Sequence, residues 1–163
     1  MMKRIFLILS AVFIFLTAKT QTVSSNDLQR ITGSWTGQLV YLNYSDNKEV
    51  TIKATLAVVQ KKKNYFILIF DYPGEAGHGS REKYQIRNTG RKLNNLLVTE
   101  RTVLEDGAIK ITLEEKGKDG NDQKPATFYH VLVLGTKTFT ISKLVKFEKE
   151  DNFFQRNKYS FSR

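Results

Sequence analysis

The chain has 163 residues, a formal charge of +10 and no cysteine. That length makes one domain around one core. The missing thiols exclude a disulfide framework, a thiolate zinc cluster, a cysteine nucleophile and a thiol-linked lipid anchor. A basic balance favours weak attraction to anionic surfaces without selecting a partner.

In chain order, Lys3 and Arg4 precede an apolar run over residues 5–16 that only Ser10 interrupts. Charge followed by a short apolar stretch is the order of a secretory signal, and the run is too short for a transmembrane span. Ala18 and Thr20 put small side chains where a signal peptidase reads. Residues 1–20 are therefore expected to be a cleaved signal peptide and residues 21–163 the mature domain, with a charge near +7, exported to a periplasm or outside a cell. No further transmembrane span is expected.

Asn26 and Gln29 have capping-box spacing, so one helical turn is expected over residues 27–31. From Gly33 onward the apolar period is two. Val50, Ile52, Ala54, Leu56 and Val58 alternate with Thr51, Lys53 and Thr55, and Ile109, Ile111 and Leu113 alternate with Lys110, Thr112 and Glu114. Turn residues break the pattern at 45–48, 61–64, 88–90, 106–107, 117–122, 135–136 and 150–152. The expected strands are 33–44, 50–60, 65–70, 82–88, 91–94, 97–104, 108–115, 126–134, 138–147 and 153–162. Links this short join antiparallel neighbours, because parallel crossovers need a dozen or more residues. Closure removes the exposed edges of so many hairpins. The expected fold is all-β, an antiparallel up-and-down barrel of about 8–10 strands with a short N-terminal helical turn; a sandwich is the alternative.

Gly33-Ser34-Trp35, opening the first strand just after the helical turn, resembles the G-x-W signature of lipocalin-like (calycin-type) barrels. The resemblance implies that Gly33 and Trp35 close one end of the barrel. It also implies that an arginine from the last strand lies over the indole, a role for which Arg163 shares parity with Tyr159 and Phe161. Arg156, on the opposite parity, is the weaker partner. The cysteine pair and C-terminal helix of secreted lipocalins are absent. Ten-stranded heme-binding barrels of similar length also enter the comparison, and they require a histidine inside the cavity.

Few residues offer chemistry. His130 shares parity with Phe128, Leu132 and Leu134, which would point it inward toward a heme iron, but Tyr129, Val131 and Val133 make the other face apolar too, so its direction stays open. Asp71, Glu75 and His78 lie in a glycine-rich segment suited to a lid, at a spacing that matches no metal motif. No metal site and no catalytic residue are expected. Glu114 and Glu115 alternate to opposite faces of a strand and cannot act on one substrate. Lys61, Lys62 and Lys63 at one turn, and Lys116, Lys118 and Lys124 around another, read as solvated tips; no nucleic-acid motif accompanies them.

The residues expected to line a ligand cavity are Trp35, Tyr41, Phe128, His130, Phe139, Phe147 and Tyr159, although a filled core would use the same aromatics. The expectation is an exported, non-enzymatic protein that holds a small hydrophobic molecule. The alternative is an interaction module with a filled core, binding an envelope component or protein through its basic loops. A heme barrel built on His130 ranks lower.

Overall fold

The computed structural model describes residues 21–75 and 77–163. The expected signal peptide and its cleavage site lie outside the described residues. A short helix α1 (Ser25–Gln29) is followed by ten antiparallel strands: β1 (Gly33–Leu42), β2 (Glu49–Lys62), β3 (Tyr65–Asp71), β4 (Ser80–Arg87), β5 (Lys92–Leu93), β6 (Leu96–Val103), β7 (Ile109–Asp119), β8 (Lys124–Leu134), β9 (Thr138–Phe147) and β10 (Phe154–Ser162). Each strand pairs with its sequence neighbour, and β1 also pairs with β10, so the sheet closes on itself. Among the described residues no helix is long and apolar enough to cross a membrane.

The helix begins earlier than residues 27–31. Ser24 is the N-cap, accepting from the Asp27 amide, while the Asp27 carboxylate accepts from the Ser24 amide at 2.8 Å. The reciprocal pair is thus Ser24 with Asp27, because an aspartate three residues after a serine satisfies both free amides as well as a Gln would. Asp27 also accepts two hydrogen bonds from Arg101 on β6, at 2.9 and 2.8 Å. The helix is thereby pinned to the barrel wall.

Below the barrel, Val23, Leu28 and Ile31 are buried against its floor. Trp35 stands on that floor, 2 % exposed, donating its indole N–H to the Ile31 carbonyl at 2.8 Å. Arg163 lies over the indole, 4.1 Å from ring centroid to guanidinium carbon, and donates to the carbonyls of Arg30, Thr32 and Thr136. Gly33 has φ +110°, a conformation that disfavours any side chain, and a Cβ there would press on the Arg163 guanidinium.

The interior is stacked in layers set by strand register. Leu134, Phe139, Phe161 and Gly37 are successive cross-strand partners, and the first three are buried beside Trp35. A Cβ at Gly37 would collide with the Ser160 carbonyl, so only glycine lets β1 and β10 approach here. The next layer runs Leu132, Ile141, Tyr159, Leu39 and Ile52. Above it come Leu113, His130, Lys143, Asn157 and Tyr41. Polarity rises from the closed end toward the other.

Two features depart from simple alternation. β7 and β8 run to Asp119 and from Lys124, beyond the expected ends at 115 and 126, because the polar residues 116–119 continue the ladder with 124–127. In β10 the register shifts between Gln155 and Asn157. That bulge turns Arg156 inward despite its parity, as an extra residue in one strand does.

Candidate functional site

The wall between β4 and the following strands is thin. β5 has two residues and pairs with β4 only through Ile86 with Leu93 and Arg87 with Lys92. The first residues of β4 therefore have no strand partner on that side, and Asn94 covers part of the edge: it donates to the Lys83 carbonyl and exchanges bonds with Gln85. Behind this gap lies an inner chamber of about 300 Å³. Its floor is apolar, from Leu96, Leu113, Leu132 and Ile141, and its polar lining includes Glu82, Asn94, His130, Lys143 and Asn157. Tyr84 and Tyr159 complete it.

A mouth chamber of about 390 Å³ lies at the end opposite Trp35, lined by Leu39, Tyr41, Ile52, Tyr72, Arg156 and Asn157 among others. The expected lid segment contributes Glu75 and His78 to it; Asp71 ends β3 and is exposed outside it. The two chambers share Asn157, and between them the Tyr72 and Tyr159 hydroxyls are hydrogen-bonded at 2.7 Å.

The charges inside the barrel are mostly matched. Arg156, 6 % exposed, donates through Nε at 3.0 Å and Nη2 at 2.5 Å to one oxygen of Asp119, which is 3 % exposed. The other oxygen accepts from the Tyr44 hydroxyl at 3.0 Å and lies 4.0 Å from the Lys143 ammonium. Lys143 also sits over the Phe128 ring at 4.1 Å, and Arg156 over those of Tyr44 and Phe154. His130 points inward, and its Nε2 bonds Glu115 at 2.8 Å.

Glu82 differs from the rest. It shares the inward parity of Tyr84 and Ile86 but is exposed, lining both the chamber and the groove outside the gap. It makes no hydrogen bond or ion pair with a described residue. Enclosure by the surrounding protein raises its carboxyl pKa, and the nearby His130 only partly opposes this. Burial also raises the phenols of Tyr84 and Tyr159, and the Glu82 charge adds to both.

The structure thus divides the expected ligand-lining residues. His130 and Tyr159 line the inner chamber and Tyr41 the mouth. Trp35 and Phe139 line neither chamber: they pack on each other, ring centroids 6.0 Å apart, in the filled floor. Phe128 is buried in a separate cluster with Ala126 and Val145, against which Phe147 and Phe154 pack. The apolar rings that parity selects are spent on the floor and the rim, and at the rim Lys143 lies over Phe128 and Arg156 over Phe154. His130 Nε2 is hydrogen-bonded to Glu115, so an axial bond from this nitrogen to a heme iron would have to displace that carboxylate. Glu82, Tyr84 and Asn157 were not among the expected residues. The signal for Glu82 was its two-residue spacing from Tyr84 and Ile86, hidden by the charged pair Arg81 and Lys83 around it.

No protein-family model matches the chain, and no curated protein matches it. Among solved structures, the chain is similar to the crystal structure of a fluorescent protein, the UnaG N57A mutant, at 10% identity and a TM-score of 0.41, with 83% of this chain and 97% of that one covered. A likeness at that level carries no statement about ligand or activity. What stands is the molecule's own geometry: a closed ten-strand antiparallel barrel, filled at the Trp35 end and hollow toward the other.

Proposed function

We propose that this protein is an exported, non-enzymatic binding protein whose barrel holds a small, mainly hydrophobic molecule in the inner chamber. The observation that carries the reading is the chamber itself: an apolar floor beneath a few converging polar groups, behind a gap in the wall. Concave sites of this composition bind small molecules, and about 300 Å³ is the small end of their range. Binding rather than catalysis is favoured because, among the described residues, no hydroxyl lining the inner chamber is hydrogen-bonded to a base. Export rests on the leader-like residues 1–20, and N-terminal sequencing of the mature protein is expected to begin at Gln21.

The test is titration with a neutral environment-sensitive dye, N-phenyl-1-naphthylamine, against the wild type and Ile141→Trp, which fills the chamber. Saturable one-to-one binding is expected, weakened about tenfold or more in a variant whose circular dichroism is unchanged. Absence of saturable binding, or equal binding by the folded variant, would contradict the reading.

A further inference from the structure

Strand β3 carries a pattern that the core does not account for. An antiparallel strand with one wet face alternates apolar with polar residues. Residues 65–70, Tyr-Phe-Ile-Leu-Ile-Phe, are apolar throughout. Phe66, Leu68 and Phe70 are buried inside the barrel, while Tyr65, Ile67 and Ile69 point outward and stay partly exposed. Register sets Ala57 and Val59 of β2 beside Ile69 and Ile67, and Val59 is 38 % exposed. The outer face of the β2–β3 hairpin is therefore one apolar patch, not a scatter of single residues.

Cations edge this patch. Lys62, Tyr65 and Gln85 form one cross-strand row, Val59, Ile67 and Lys83 the next, and Ala57, Ile69 and Arg81 a third. Lys83 and Arg81 of β4 thus run along one side of the patch and Lys62 ends it, with Lys61 and Lys63 beside Lys62 at the turn. All of these cations are exposed, and none forms an ion pair with a described residue. The carboxylates at this face are Asp71 and Glu82, so positive charge is in excess over it. A shallow groove of about 440 Å³ runs between Tyr65, Ile67 and the free edge of β4.

We propose that the outer face of β2, β3 and β4 docks the barrel on an anionic lipid bilayer, with Tyr65, Ile67 and Ile69 at the headgroup boundary and the surrounding cations on lipid phosphates. Lysine and arginine stems lie along apolar surface while their charged ends stay wet, and a tyrosine ring suits the same boundary. Apolar contact and attraction to anionic lipid add at such a surface. The size of the patch argues against a protein partner: two strands over five residues span roughly 10 by 15 Å. A stable protein interface buries about 800 Å² on each side. Docked in this way, the gap beside β4 lies at the edge of the contact, because Glu82 and Asn94 line both the outer groove and the inner chamber. A lipid-soluble ligand of the kind proposed above would then reach the side entrance directly from the membrane.

The experiment is co-sedimentation of residues 21–163 with large unilamellar vesicles, either phosphatidylcholine alone or phosphatidylcholine mixed with phosphatidylglycerol. Binding is expected to the anionic vesicles only, and to weaken about tenfold in high salt. Lys62→Glu with Lys83→Glu is expected to lower the partition coefficient about tenfold or more. Lys137→Glu with Lys149→Glu makes the same charge change at the β8–β9 and β9–β10 turns across the barrel, and should lower it less than about threefold. Ile67→Thr with Ile69→Thr keeps every cation and two β-branched strand residues, and is expected to lower it about fivefold. Each variant is compared at unchanged circular dichroism. No binding to anionic vesicles, an equal loss from the far-side pair, or full binding by the threonine variant would overturn the proposal. Capture by soluble dextran sulfate without vesicle binding would overturn it in favour of a polymer. The neutral-dye titration reads the chamber and not this face, so the two proposals fail separately.

Discussion

Arg163 holds the closed end through two kinds of contact at once. Its guanidinium covers the Trp35 ring and gathers three carbonyls from two loops. Arg163→Ala removes the stacking and leaves those carbonyls to water, so a loss of about 2 kcal/mol is expected in a urea melt. Lysine at the same position restores less than half, because a point charge cannot serve three divergent acceptors with a flat ring beneath it. Asp27 acts similarly at the helix. Burial alone would raise its carboxyl, but hydrogen bonds from Arg101 and Ser24 and the charge of Arg101 outweigh this and hold its pKa below the ordinary 3.8. A carboxyl lowered on folding stabilises the protein above its unfolded value, and that stabilisation fades as pH falls through the folded value. Thermal melts are therefore expected to show stability dropping below about pH 4, with a shallower acid limb for Asp27→Asn, which should cost about 3 kcal/mol at pH 7.

At the scale of elements, the bulge in β10 is the device that makes the mouth polar. It turns Arg156 inward onto Asp119, so the two bury a matched pair inside the barrel. Removing one member leaves the other charge enclosed. Arg156→Met is expected to destabilise by about 3 kcal/mol, and the double variant Arg156→Met with Asp119→Leu to recover most of it. An additive double variant would show that the pair is not coupled. This element also marks where reading the sequence stops. Strands such as β2, β7 and β9 were legible because their apolar side chains alternate against Thr, Lys and Glu. The helix start was shifted because Ser24 and Asn26 both suit a cap, and only the reach of Asp27 back to Ser24 decides between them. A bulge has no such signature, so parity assigned Arg156 outward. The last residues of β7 read as a turn because Gly117, Asp119 and Gly120 are turn residues, and Asp119 was lost with them. His130 had apolar neighbours on both faces, and only the register with Leu113 and Lys143 settles its direction.

Across the whole molecule, the interior changes character along the barrel axis. The Trp35 end is a packed core that explains the fold's closure, and the opposite half is a divided cavity whose inner chamber opens sideways through the weak β4–β5 junction. Aromatic content predicted an apolar interior, but the polar half depends on single residues, Glu82, His130, Lys143 and Asn157, brought level by strands distant in sequence. Substitutions in the two halves should therefore separate. Leu134→Ala in the packed end is expected to cost about 3 kcal/mol, whereas Ile141→Ala at the chamber wall should cost less, since that side chain is already only partly enclosed.

The most direct measurement is methyl NMR of the barrel, residues 21–163, titrated with decanol. Shifts are expected at Leu96, Leu113, Leu132 and Ile141, with Leu28, Leu56 and Leu134 in the packed half unmoved. Saturating shifts confined to the packed half, or spread evenly over both halves, would contradict a barrel that is filled at the Trp35 end and hollow above it.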